Sequence, residues 1–311
     1  MKLSVVTTMY CSAPYIDDFY KRIINSVKKI TKDYEIIFVD DGSPDNSLLR
    51  ALNLYKKDKK VVVIELSRNF GHHKAMMTGL KHTKGDIVLM IDVDLEEKPE
   101  LLEVYWDRMQ ADTEIDVVYG IQNNREGSFI RKFSGEMFYR ILNYLSGENM
   151  PINISFSRLM SRRYVNSLIL FQETEMYIGG LWHITGFSQA CVPITKTFKG
   201  VSSYTFRKKM KMVIDAVTSF SDKPLIFIFY IGIIIFLVSG VVGFIVVIRK
   251  FFLGYILSGW TSLILSIWFL SGLIIFSLGV IAIYLAKIFI ETKNRPYTII
   301  RSIYKNDKNK E

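Results

Sequence analysis

Two aspartates one residue apart, Asp92-Val93-Asp94, close the apolar run that starts at Ile87. On an extended chain residues i and i+2 share a face, so both carboxylates can converge on one target. Carboxylate oxygens are hard donors suited to Mg2+ and Mn2+, and Mg2+ is usually held by one or two of them plus substrate phosphates. Surface acids also produce such pairs by chance; this one follows an apolar strand. Asp40-Asp41-Gly42-Ser43 closes an earlier apolar run. A carboxylate there can accept hydrogen bonds from a base or ribose, and Gly42 permits close backbone approach. The same stretch also reads as the cap of the next helix. Arg68-Asn69-Phe70-Gly71 offers a guanidinium beside a turn glycine. His72 and His73 are adjacent, so they do not share a helix face and predict no metal pair. His82 reads as a solvated helix residue, and His183 is given no role.

These groups need a scaffold, and the first half of the chain supplies an alternating one. LSVVTTMY, YEIIFVDD, VVVIELS and DIVLMIDVD read as strands. Helical patterns lie between them, at about 16–30, from Ser43 onward, and around HKAMMTGLKHT. Near-continuous apolar strands separated by helices indicate a parallel sheet covered on both faces. Ligands of such sheets bind beyond the carboxyl ends of the strands, where the acids sit.

Half of the 311 residues are hydrophobic, which excludes a disordered chain. The length points to about two units. Two cysteines, Cys11 and Cys191, make neither a disulfide framework nor a zinc pattern, and read as free thiols. The net charge of +10 comes with no nucleic-acid motif and is assigned to anionic lipid.

The apolar residues concentrate near the C-terminus. The stretch 224–248 carries no charge and, as a helix, would be about 36 Å long, enough to cross a bilayer core of about 30 Å. A second span is predicted over 261–286, after a turn at about 249–260. A pair of buried core helices is the competing reading. Arg207, Lys208, Lys209, Lys211 and Lys223 precede the first span, and 287–311 holds seven Lys or Arg against three acids. The positive-inside rule then places both termini in the cytoplasm. LSVV, after Met1-Lys2, is too short for the apolar core of a signal peptide. Phe206, Met210, Val213, Val217 and Phe220 recur at helical spacing, so 205–223 reads as an interfacial amphipathic helix. Residues 129–145 are a second such candidate.

The sequence from Leu3 through the central block 68–100 to FSRLMSRR, GVSSYTFRK and SFSDKPL resembles family 2 glycosyltransferases. Within that family it resembles the polyprenyl-phosphate branch. The resemblance implies a GT-A α/β fold over 1–204, two membrane helices and a basic cytoplasmic tail at 287–311. It also implies inverting transfer from a nucleotide sugar with a divalent metal, Mg2+ or Mn2+. Asp92, Asp94 and Glu96 would hold the metal and diphosphate. Thr8, Tyr10, Asp41, Arg68 and Asp92 would line the nucleotide pocket. Arg125, Arg131 and Lys132 would serve phosphates, and Ser202, Ser203 and Tyr204 would form the acceptor loop.

The chain departs from the family pattern at Ser12, where an acid is usual, at Gln122 in place of an arginine, and at Lys98. Phe156 stands where an aspartate is sometimes invoked as base, and Ser203 replaces a lysine. A sugar hydroxyl needs a positioned base. A phosphate monoester, with its second pKa near 6, is already an anion. The missing aspartate is therefore compatible with a polyprenyl phosphate acceptor. A hydroxyl acceptor would require Glu173 or Asp94 as base. The expected setting is a bacterial inner membrane, with a flippase and a downstream transferase as partners and self-association through the membrane helices. The alternatives are a membrane-bound transferase acting on a glycan or glycolipid hydroxyl, and an inactive scaffold of a glycan-assembly complex.

Overall fold

A computed structural model describes residues 1–122, 154–173, 178–195, 218, 221–253 and 259–306. One unit is a layered α/β domain and the other holds two long apolar helices. The domain is built on β1 (Leu3–Met9), β2 (Tyr34–Asp40), β3 (Val61–Leu66), β4 (Ile87–Met90), β5 (Val117–Gln122), β6 (Ile154–Ser161), β7 (Gln189–Ile194) and β8 (Ile300–Tyr304). Their order in the sheet is β7-β5-β6-β4-β1-β2-β3-β8. β1 pairs in parallel with β2 and β4, β2 with β3, and β5 with β7; the pairings of β6 and β8 are antiparallel.

Every residue of β1 and β2 is buried, as expected of central strands covered on both sides. One face carries α1 (Ile16–Ile30), α2 (Ser47–Lys57) and α4 (Leu101–Gln110). Ile16, Phe19, Ile23 and Val27 of α1 recur at helical spacing and pack on Ile36 and Phe38 of β2 in that core. The opposite face carries α3 (His72–Lys81), α5 (Arg162–Leu168) and α6 (Ile178–Ile184). This is the GT-A-like, mostly parallel arrangement that the resemblance implies.

Within the α/β domain two boundaries differ from the sequence reading. β4 ends at Met90, so Asp92 and Asp94 lie in the turn beyond it. More consequentially, residues 300–304, read as part of a basic tail, form β8 on the outer edge of β3. Arg301 and Tyr304 both bond the Glu65 carboxylate, at 2.9 Å and 3.1 Å, which fixes the strand against β3. Ile300 packs on the core from the edge, and Thr298 meets Thr78 of α3 at 2.8 Å. β8, five residues long and carrying Arg301, thereby replaces β3 as the outer strand of the sheet.

Beside Glu65 in register lies Asp40, 2% exposed. Burial pushes its carboxyl up to about 6, with bonds from Ser43 pulling the other way. The native state thus keeps a proton that the unfolded chain loses near pH 4. Stability from this group is complete below about pH 4 and is lost as pH rises through 6, by on the order of 3 kcal/mol. Asp40→Asn is expected to flatten the pH dependence of thermal unfolding between pH 4 and 6. A slope unchanged from wild type would contradict this.

The second unit contains α7 (Lys223–Leu253) and α8 (Trp260–Thr292), longer than the expected 224–248 and 261–286. At 1.5 Å per residue they run about 46 Å and 50 Å. Both are long and apolar enough to cross a membrane. Their large apolar side chains face outward rather than into a core, as at Phe227 and at Trp268, 77% exposed. Tyr284 of α8 donates to the Ser221 carbonyl at 2.6 Å, which ties the end of the second helix to the entry of the first.

Candidate functional site

At the carboxyl edge of the sheet, β1 is flanked by β2 on one side and β4 on the other. The strand order reverses there, with β2 and β3 added on one side of β1 and β4 on the other, and the resulting crevice is where open α/β sheets bind ligands. Thr8 lies near the end of β1 and Asp92 just past β4, on the two sides of that crevice. Asp41 follows β2 and Arg68 follows β3. β6 runs the other way, so its first residues, including Phe156, reach the same edge ahead of Arg158, which pairs with Met90 and Tyr119.

Asp41 is 2% exposed and accepts backbone N–H bonds from Phe70 at 2.7 Å and Gly71 at 3.0 Å. Burial raises its pKa, while those bonds and the Arg68 charge pull it down. The loop after β2 therefore grips the loop after β3. Contact is close enough that a Cβ on Gly42 would fall 2.5 Å from the Arg68 carbonyl carbon. Gly42 also has a φ of 65°, in the left-handed region that favours glycine. Arg68 is exposed, with its guanidinium 4.2 Å above the Phe70 ring.

Tyr10 is 51% exposed at the rim, where a ring can meet a planar ligand. Ser12 instead turns inward. Its hydroxyl bonds both backbone groups of Tyr10, and its amide donates to Ser47 Oγ at 2.9 Å. The residue that replaces an acid of the family pattern thus holds the turn after β1.

Asp92 and Asp94 are half-buried, with Val93 between them packed into the core. The turn is tightened by Leu95 at φ 63° and by the Glu96 amide donating to Asp94 Oδ1 at 3.0 Å. Among the described residues no group of three or more His, Cys, Asp or Glu is placed to enclose an ion. A pair of carboxylates suits a hard divalent cation that completes its shell with water and substrate oxygens, and suits zinc poorly. Asp92 and Asp94 could hold such an ion, with Glu96 adjoining in the same turn.

His72, given no part by the sequence reading, is the residue that ties the crevice together. Its Nδ1 lies 2.9 Å from Thr8 Oγ1 and its Nε2 3.3 Å from Asp92 Oδ1. Water reaches part of the ring. The protein packed around it and the charge of neighbouring His73 nevertheless lower its pKa to about 4. Phe156 packs on this ring with centroids 4.5 Å apart, and on Trp182 at 5.5 Å. An aromatic wall therefore stands where the family pattern has an acid. Adjacency argues against a histidine pair, but it does not bear on one imidazole reaching back to two strand ends.

Glu97 is a second residue missed from sequence. It is buried and accepts the amides of Phe156 at 3.0 Å and Ser157 at 2.8 Å, which anchors the start of β6 to the acidic turn. Arg158, 1% exposed, lies 3.5 Å from the Trp182 ring centre and 4.8 Å from that of Tyr119. Desolvation lowers its pKa to about 10, so it stays cationic at neutral pH. The candidate residues Arg125, Arg131, Lys132, Ser202, Ser203 and Tyr204 lie outside the described residues. So does the segment 129–145, and 205–223 is described only at 218 and 221–223.

The chain belongs to glycosyl transferase family 2, whose model matches residues 4–169. It is a glycosyltransferase with a GT-A-like domain. A protein of Mycobacterium tuberculosis (strain CDC 1551 / Oshkosh) whose name places it among glycosyltransferases is 50% identical over 99% of this chain and 90% of its own length. The bactoprenol glucosyl transferase of Shigella phage SfV is 32% identical over 100% of both chains. That of Shigella phage SfX is 31% identical over 97% of this chain and 99% of its own. The resemblance to the polyprenyl-phosphate branch, read from the motifs, agrees with these full-length relatives.

Proposed function

We propose that this glycosyltransferase moves a sugar from a UDP- or GDP-sugar to a polyprenyl phosphate at the cytoplasmic face of a membrane, with inversion at the anomeric carbon. The observation that carries the reading is the pair Asp92 and Asp94 beside Thr8 and Asp41 at the switch point of the sheet. In the transfer, an acceptor phosphate oxygen forms a bond to the anomeric carbon as the bond to the donor diphosphate breaks. The electron pair leaves on the diphosphate oxygen. A divalent ion held by Asp92 and Asp94, with Glu96 adjoining, would supply Lewis-acid stabilisation of that leaving group.

The chain's own residues bind and align. Asp41, with acceptor capacity beyond its two amide bonds, receives the nucleoside, and Tyr10 and Arg68 flank it. Arg125, Arg131 and Lys132 are assigned to the phosphates, and Ser202, Ser203 and Tyr204 to the acceptor. An acceptor that is already an anion requires no base, which suits Phe156 at the position of the family's aspartate.

The return of β8 to the sheet supports the membrane arrangement. Residues 3–122 and 300–304 share one sheet, so the chain between them crosses a bilayer an even number of times. Two crossings by α7 and α8 meet that requirement. Outward-facing apolar side chains on both helices suit lipid. Basic residues before α7 and after α8 favour a domain on the cytoplasmic side. The lipid-linked sugar would be flipped and consumed by a second transferase in cell-surface glycan assembly.

The test is to incubate the full-length chain in lipid nanodiscs with labelled UDP- and GDP-sugars and undecaprenyl phosphate. Label should enter the organic phase and be released by mild acid, as a glycosyl phosphate would be. An acid-stable product would overturn the phosphate acceptor and favour a hydroxyl.

A further inference from the structure

We propose that His72 is a positioning residue that fixes the Asp92 carboxylate for the cation and diphosphate; this rests on the function proposed above. The imidazole joins three separate pieces of chain: the end of β1 through Thr8, the turn after β4 through Asp92, and its own place as the first residue of α3. Those pieces bound the crevice at the switch point.

The bond pattern selects one form of the ring. Thr8 Oγ1, nearly buried, can donate to Nδ1 only if the ring proton sits on Nε2. Nε2–H is then the group that faces Asp92 Oδ1 at 3.3 Å, a charge–dipole contact that is not yet an aligned hydrogen bond. The reverse tautomer would set the Nε2 lone pair against a carboxylate oxygen at 3.3 Å. Phe156 packs against the ring and limits its rotation.

Such a donor restricts the carboxylate while leaving its negative charge in place. An ammonium or guanidinium there would compete with a bound cation; a neutral N–H does not. Partners of this kind, one shell out from a metal, commonly change affinity by about 10–100-fold when removed.

Manganese binding tests this without recourse to turnover. Free Mn2+ is followed by electron paramagnetic resonance as it is titrated against the full-length chain in nanodiscs, with UDP and with GDP. His72→Ala is expected to weaken nucleotide-dependent Mn2+ binding about 10–100-fold. His72→Gln, whose amide N–H can occupy the place of Nε2–H, should recover most of the loss. Thr8→Val, which frees Nδ1, should fall between. Wild-type affinity in His72→Ala would overturn the proposal. So would a His72→Gln variant that folds, by its melting curve, yet binds as weakly as the alanine variant, because packing would then explain the loss. Should His72→Ala fail to fold, the glutamine and Thr8→Val variants decide alone: wild-type affinity in Thr8→Val overturns the proposal and a loss supports it. Asp94→Asn serves as the reference. If it binds Mn2+ like wild type, the cation site itself is refuted and the His72 role falls with it.

Discussion

Asp94→Asn is expected to reduce sugar transfer by about 10²–10³-fold, while the protein stays folded. The substitution keeps an oxygen that can accept the Glu96 amide, the contact recorded for Asp94 at 3.0 Å, so the turn can persist. What it removes is an anionic ligand, and with it part of the several kcal/mol that a cation contributes at a departing diphosphate. Each 1.36 kcal/mol is worth about tenfold in rate. The check is initial-rate transfer to undecaprenyl phosphate alongside a melting curve. Turnover within about twofold of wild type would remove Asp94 from the proposed machinery.

Gly42→Ala should be the most damaging small substitution in the crevice. The new methyl would sit 2.5 Å from the Arg68 carbonyl carbon and 2.6 Å from the Asn69 nitrogen, both backbone atoms with little freedom to move. Its φ of 65° adds strain for any residue with a Cβ. Together these should cost about 3 kcal/mol and lower the melting midpoint by about 10 °C. The two loops would separate, and Asp41 would lose its bonds to Phe70 and Gly71. Donor binding should therefore fall more than the modest size of the change suggests. A midpoint unchanged in differential scanning calorimetry would show that the loops are not in such close contact.

Much of the site could be read from the chain because its chemistry sits where periodicity ends. Apolar runs stop at Asp40-Asp41 and before Asp92, and a parallel sheet gathers such ends on one edge. Gly42 carried its own signal, a glycine directly after two acids. α1 spans the predicted residues 16–30 because Ile16, Phe19, Ile23 and Val27 hold the helical period without interruption. The parts that escaped are those where long-range contact decides. IRSIY alternates in the manner of a strand, yet it is short and set among basic residues, and only the uncovered edge of β3 makes it β8. His72 looks like one of two neighbouring histidines on a helix. Its reach to Thr8 and Asp92 exists only after α3 has packed against the sheet. Glu97, beside Lys98, carries no signal in the sequence, and its burial depends on amides of β6 some 60 residues away. In sequence Phe156 reads only as the loss of an acid. In the fold its ring also braces His72, a role that no spacing rule would reveal.

The central claim is that Asp92 and Asp94 grip a divalent ion and a nucleotide diphosphate at the carboxyl edge of β4. Anomalous scattering from Mn2+, in crystals of the full-length protein grown with the diphosphate of its active donor, addresses it directly. One strong peak is expected about 2 Å from a carboxylate oxygen of Asp92 or Asp94, with phosphate density against it. A peak bound elsewhere in crystals that still turn over, or diphosphate density remote from both residues, would contradict it.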